Sequence, residues 1–251
     1  MRSCIAEAIK LADSPVALLF SDERPENALQ FKEGHWGCVM AMLNAAAGGR
    51  VAALDGKSGC GGGHIGMGFC TSYAHTPGGI EYFLSTGRGE GYPEGERYIK
   101  TPELARGFVE QMPRVEIPRE FILFKALSQV KPEVETPETV IFLVNPDQLS
   151  ALVVLANYGR STADNAVIPF ASGCQSIGVL VYHQAKQPQP CAVVGAIDIS
   201  ARPFMKPDQL TFAMPYAMFR EMEDNVEGSF LDTKSWMKVR TRIPEPGGKG
   251  E

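Results

Sequence analysis

The chain has 251 residues, 44% of them hydrophobic, and a formal net charge of -5. That length suits one large domain or two small ones, with enough apolar residues to bury a core. No cluster of Lys and Arg appears, which argues against nucleic acid and anionic membrane as partners, and no apolar run nears the roughly 20 residues that span a bilayer.

Charges at Glu7, Lys10 and Asp13 interrupt the N-terminal stretch, so no secretory h-region is expected and the cytoplasm is the default location. Residues 14–22, "SPVALLFSD", form a short apolar run rich in branched side chains and predict a buried strand. Residues 24–35 follow as a turn with a short helix. Residues 37–49 have helical composition, with Val39, Met42, Leu43 and Ala46 on one face and a stop at Gly48-Gly49. A strand is expected over 50–55. Residues 58–69, "SGCGGGHIGMGF", are too glycine-rich for regular structure and read as a loop. A strand is expected over 79–87, then a helix over 101–112 with Thr101 as N-cap and Pro102 in its first turn.

Strands are next expected over 120–127 and 138–145, a helix opened by Pro over 146–159, and a helix over 173–184. Strands over 191–198 and 209–215 and a helical region from 216 complete the pattern. The tail from 243 to 251 reads as disordered. Laid side by side, residues 14–115 and 120–232 match in order. "GCVMAMLNAAAGGRVAALD" runs beside "GCQSIGVLVYHQAKQPQPCAVVGAID", which makes Cys38 equivalent to Cys174 and Asp55 equivalent to Asp198. "YFLSTG" runs beside "LTFAMP". The expectation is a single compact α+β domain over 1–242, built as two pseudo-symmetric β-α-β-β-α halves around a mixed sheet.

Six cysteines are too few for a disulfide scaffold in a chain this long, and none stands in a C-x-x-C pair. Cys38 and Cys174 each follow a glycine and open a helix, where free N–H groups favour thiolate. Cys60 precedes three glycines whose exposed amides suit a cofactor's sulfides or an anion. The candidate metal ligands are therefore Cys38, Cys60 and Cys174, with Cys70 as a fourth. Gly61, Gly62, Gly63 and His64 are candidate cofactor contacts. Thiolates in this number select an iron–sulfur cluster or zinc. The opposing reading is that each cysteine packs as a small hydrophobe and no cofactor is held, above all at Cys4 and Cys191. Two further alternatives stay open. One is a binding module that holds a small anionic ligand on its helix N-termini and glycine loop. The other is a thiol enzyme with Cys60 or Cys38 as nucleophile and His64 or His35 as base. His75 and His183 have nothing convergent nearby and read as structural. Arg202 pairs with Asp198 or takes an anion. No general acid or base is named, so whether the protein is an enzyme is left open.

A cysteine opening an Ala-rich helix, "CGGGHIGMGF", "PELARGFVEQMPR", "NPDQLSALVVLANYG" and "GAIDISAR" together resemble the DUF169 family of uncharacterised prokaryotic proteins, from about residue 14 to 225. The resemblance implies that Cys38 and the C-x-G-G stretch at Cys60 are shared features, while the C-terminal ending varies. It implies no activity. The resulting expectation is a redox-related, cofactor-holding protein that works with a redox partner protein or a small molecule and forms a homo-oligomer.

Overall fold

In the computed structural model, residues 1–74, 76–91 and 94–245 are described. In chain order the elements are α1 Cys4–Ala8, β1 Val16–Ser21, α2 Val39–Ala47, β2 Ala52–Leu54, α3 Gly61–Met67, α4 Ile80–Phe83, α5 Pro102–Gln111 and β3 Phe121–Ala126. They continue with β4 Thr139–Val144, α6 Pro146–Tyr158, β5 Ala166–Val167, α7 Gly173–Ile177, α8 Val179–Gln184, β6 Ala192–Gly195, β7 Leu210–Pro215, α9 Tyr216–Asp224 and α10 Lys234–Arg240. The class is α+β with a mixed seven-stranded sheet in the order β2-β3-β1-β4-β7-β6-β5. Every pairing is antiparallel except β5 with β6.

Side chains alternate across the sheet, and both faces are covered. On one face Ala17, Leu19, Val140, Phe142, Phe212 and Met214 pack against α1, α6, α9 and α10. On the other, Val16, Leu18, Ile122, Phe124, Ile141 and Ala213 pack against α2, α3, α7 and α8. Burial on two faces is why β1 and β4 read as unbroken apolar runs rather than as alternating patterns. Each fully buried Phe or Leu of this kind contributes about 1.5–3 kcal/mol of transfer free energy. All the candidate cysteines of the glycine-rich and helix-opening stretches sit on the second face.

The sheet order reads the same from either end when β1, β2 and β3 are set against β4, β6 and β7, with the antiparallel β1–β4 pair at the centre. The halves expected from sequence differ from this. The stretch 79–87 contains the short helix α4 in place of a strand, and the third strand of the first group is Phe121–Ala126, which pairs with both β1 and β2. A boundary between 115 and 120 therefore cuts through one continuous three-stranded group. The glycine-rich stretch is also regular rather than a loop: Gly61–Met67 is helical, and the left-handed positions are Gly59 before it and Gly68 after it. The expected helix over 173–184 breaks at Gly178 into α7 and α8. At the end assigned to a disordered tail, Ile243 is buried in the core. Residues 246–251 and His75 lie outside the described residues.

Candidate functional site

The N-terminal ends of α2, α3 and α7 meet on one face of the sheet, and glycines set their spacing. A Cβ on Gly66 of α3 would come within 2.7 Å of Cys174 Sγ and 2.9 Å of the Gln175 amide nitrogen. A Cβ on Gly178 would collide with the Gly66 carbonyl oxygen. These two glycines let α3 and α7 touch backbone to backbone, closer than any larger residue permits. Gly61 and Gly62 have open space where a side chain would stand.

The open space belongs to a cavity of about 640 Å³, a size typical of small-molecule and cofactor sites. Cys38, Cys60, Cys70 and Cys174 all border it, together with Gly61, Gly62 and His64. The packing that gathers them is specific. The Cys60 amide donates to the Gly37 carbonyl at 3.2 Å, which ties the glycine-rich segment to the residue before Cys38. Cys60 Sγ then accepts from the Gly63 amide at 3.1 Å, so the cysteine caps its own helix. Cys174 Sγ lies 3.4 Å from the Gly62 carbonyl oxygen and 3.1 Å from Ser172 Oγ. Two sulfurs thus flank the single Gly62–Gly63 peptide group. Gly63 itself is turned inward, against Cys60 Sγ and Val39. Cys70 is exposed, at the edge of the hollow.

Helix N-termini were expected to lower these thiols. Burial does the opposite. It pushes Cys38 and Cys60 up, only partly offset by the amides of Met40 and Ala41 and of Gly63 respectively. Cys174 is pushed up to about 12 by burial, with Cys60, Asp198 and Cys38 adding to the shift. All three thiols are therefore protonated at neutral pH. Among the described residues, no three His, Cys, Asp or Glu side chains gather closely enough to hold a metal ion.

The remaining polar residues divide clearly. Asp55 organises the turn before α3, where its Oδ1 accepts from the amides of Lys57 and Ser58 at 2.9 and 3.1 Å and from Ser58 Oγ at 2.9 Å. Asp198 borders the cavity and is only 5% exposed. Its Oδ2 accepts from Ser200 Oγ at 3.1 Å, while Oδ1 is buried without a hydrogen-bond partner among the described residues. Burial raises its carboxyl, opposed by Ser200 and by the nearby Gly173 amide. In the sequence Asp198 is marked only as the counterpart of Asp55, with no place among the candidate site residues. Arg202 neither pairs with Asp198 nor faces the cavity, because its guanidinium donates to the carbonyls of Ala196, Lys206, Pro207 and Gln209.

None of the described histidines is hydrogen-bonded to a thiol. His64 Nε2 donates to the Ser58 carbonyl at 2.8 Å. His35 is exposed and turns its Nδ1 to the Glu33 carbonyl, outside the cavity lining. His183 meets Gln187 on an exposed surface. Cys4 is exposed rather than packed, and Cys191 is half-buried against the Asp164 carbonyl.

A family model described as uncharacterised ArCR matches residues 4–225. The chain belongs to the DUF169 family. No curated protein and no solved structure matches it. The DUF169 match takes in all four cavity cysteines, Asp198 and every strand of the sheet. Among the described residues of this DUF169 chain, no helix is long and apolar enough to cross a membrane.

Proposed function

We propose that the cavity holds a thiolate-ligated cofactor, foremost an iron–sulfur cluster, with Cys38, Cys60 and Cys174 as ligands and Cys70 as a fourth from the edge. The role would be redox-related, with a partner protein or small molecule at the cavity mouth. The observation that supports this reading is that four cysteines spread over more than half the chain border one hollow. A lone zinc ion fits less well, because among the described residues no three donors stand close enough for one ion. A cluster of several metal atoms spans sulfurs set further apart, and its sulfides accept backbone amides of the kind Gly61 and Gly62 expose.

Ligation must strip protons from thiols that burial keeps neutral, so loading releases protons and strengthens as pH rises. The anion-binding alternative finds less support in the lining, where the described residues include no Lys or Arg. The thiol-enzyme alternative finds less support, because His64 turns its Nε2–H to the Ser58 carbonyl and His35 lies outside the cavity lining.

The test is anaerobic purification with an absorption spectrum and analysis for iron, sulfide and zinc. The expected result is a coloured protein with iron and sulfide in near-equal amount, lost in Cys60→Ser, Cys174→Ser and Cys38→Ser variants that keep their far-ultraviolet dichroism. A colourless, folded protein that takes up no iron and sulfide on anaerobic reconstitution ends the proposal.

A further inference from the structure

A cavity of about 640 Å³ exceeds what a small cluster fills, and the outer part has its own chemistry. The aromatic side chains of Trp36, Tyr73 and Phe83 border it. Trp36 is 68% exposed, with its ring 5.8 Å from that of Phe204. Tyr73 is anchored by a 3.0 Å hydrogen bond that its hydroxyl accepts from Gln175 Nε2. The charged groups on the lining are Glu96 and Asp198, both carboxylates, and His64 is the only basic residue among the described ones there. Neither carboxylate is in an ion pair among the described residues. Asp198 adds a separate sign of an unmet need: it is almost wholly buried at the cavity wall, and among the described residues Oδ1 has no hydrogen-bond partner.

Aromatic faces beside unpaired carboxylates are complementary to an organic cation. The ring faces carry negative electrostatic potential, Glu96 supplies a carboxylate, Asp198 offers a buried carboxyl oxygen without a partner among the described residues, and a partly desolvated site strengthens these attractions. An anion in the same place would meet the Glu96 carboxylate and, among the described lining residues, no Lys or Arg. We infer that the outer cavity is a subsite for a small organic cation carrying a flat or methylated apolar group, such as an arylalkyl ammonium. Glu96 meets the charge at the mouth and Trp36 covers the apolar part. This rests on the cavity being the functional site, as proposed above, but not on what the sulfurs hold.

Benzyltrimethylammonium is a suitable probe, set against its uncharged carbon analogue neopentylbenzene and the anion benzenesulfonate. Trp36 reports binding through its emission, and Trp236, buried in the core at 5% exposure, supplies a steady background. The expected result is saturable quenching by the cation, about tenfold tighter than by either comparison compound. In Glu96→Gln, a conservative change at a half-buried position, the cation should bind about fivefold more weakly while neopentylbenzene is unchanged. Equal binding of the three compounds, tighter binding of the sulfonate, an absence of saturation, or a Glu96→Gln variant with full cation preference overturns the inference. Iron and sulfide analysis of the same preparations judges the cofactor separately. Cation binding by a protein that takes up no iron and sulfide on anaerobic reconstitution ends only the cluster reading, and a metal-loaded protein indifferent to charge ends only this one.

Discussion

At Gly66 any side chain must displace Cys174 Sγ and the Gln175 amide, which lie 2.7 and 2.9 Å from the place of a Cβ. Gly66→Ala is therefore expected to lower stability by about 1–3 kcal/mol, read as a lower urea midpoint at unchanged slope. Gly61 is the contrast. It is helical with nothing within 4 Å, so Gly61→Ala is expected to raise stability by about 0.4–1 kcal/mol. The same glycine-rich stretch thus holds one position that tolerates no methyl group and one that gains from it. Cys174 makes a second prediction at this scale. Burial pushes its thiol in the folded chain up to about 12 from an ordinary value of 9.0. Below the ordinary value both folded and unfolded chains keep the proton, and stability has no slope from this group. As pH rises from that value toward about 12, only the folded chain still holds the proton, and stability falls. Urea midpoints across that range should fall more steeply in the native protein than in Cys174→Ala.

Element by element, legibility followed local chemistry. Helices α5 and α6 carry their own start signals. Thr101 caps α5 ahead of Pro102, and Asn145 with Gln148 forms a capping box ahead of α6, which is why both were placed closely from sequence. Helix α3 was missed because three glycines in a row disfavour a helix by about 1 kcal/mol each relative to Ala. What holds it is the local Cys60 cap together with tertiary packing: the close contact of Gly66 with α7 and the burial of Ile65 and Met67. Helix α4 was read as a strand because "IEYFLS" is rich in β-favouring residues, and four helical residues are too few for a periodic signal. Helix α1 left no signal either, since five residues are marginal alone. It is held by Glu223 on α9, whose carboxylate accepts from Ser3 Oγ at 2.5 Å and from the Cys4 and Ile5 amides at 2.8 and 3.4 Å. Glu223→Ala should cost about 1.5–3 kcal/mol in urea unfolding, and hydrogen exchange should quicken in α1 ahead of the sheet.

For the whole molecule, the cofactor proposal carries a stability consequence. A ligand that binds only the folded chain stabilises it by about 2.7 kcal/mol at a hundredfold excess over Kd. Anaerobic reconstitution with iron and sulfide should therefore raise Tm, and a chelator should lower it again in the native protein but not in Cys60→Ser. The chain by itself determined the apolar strands, the capped helices and the set of cysteines worth watching, because these are fixed by local composition and spacing. Tertiary packing decided the rest. Which strand completes the first group depended on pairing partners a hundred residues away. Whether glycines 61–63 form a loop or a helix depended on a neighbour that only α7 supplies. Whether the thiols are ionised depended on burial, which outweighs the helix-end amides here. Asp198 and Glu96 entered the site for the same reason: a cavity wall is assembled by packing, and no spacing along the chain encodes it.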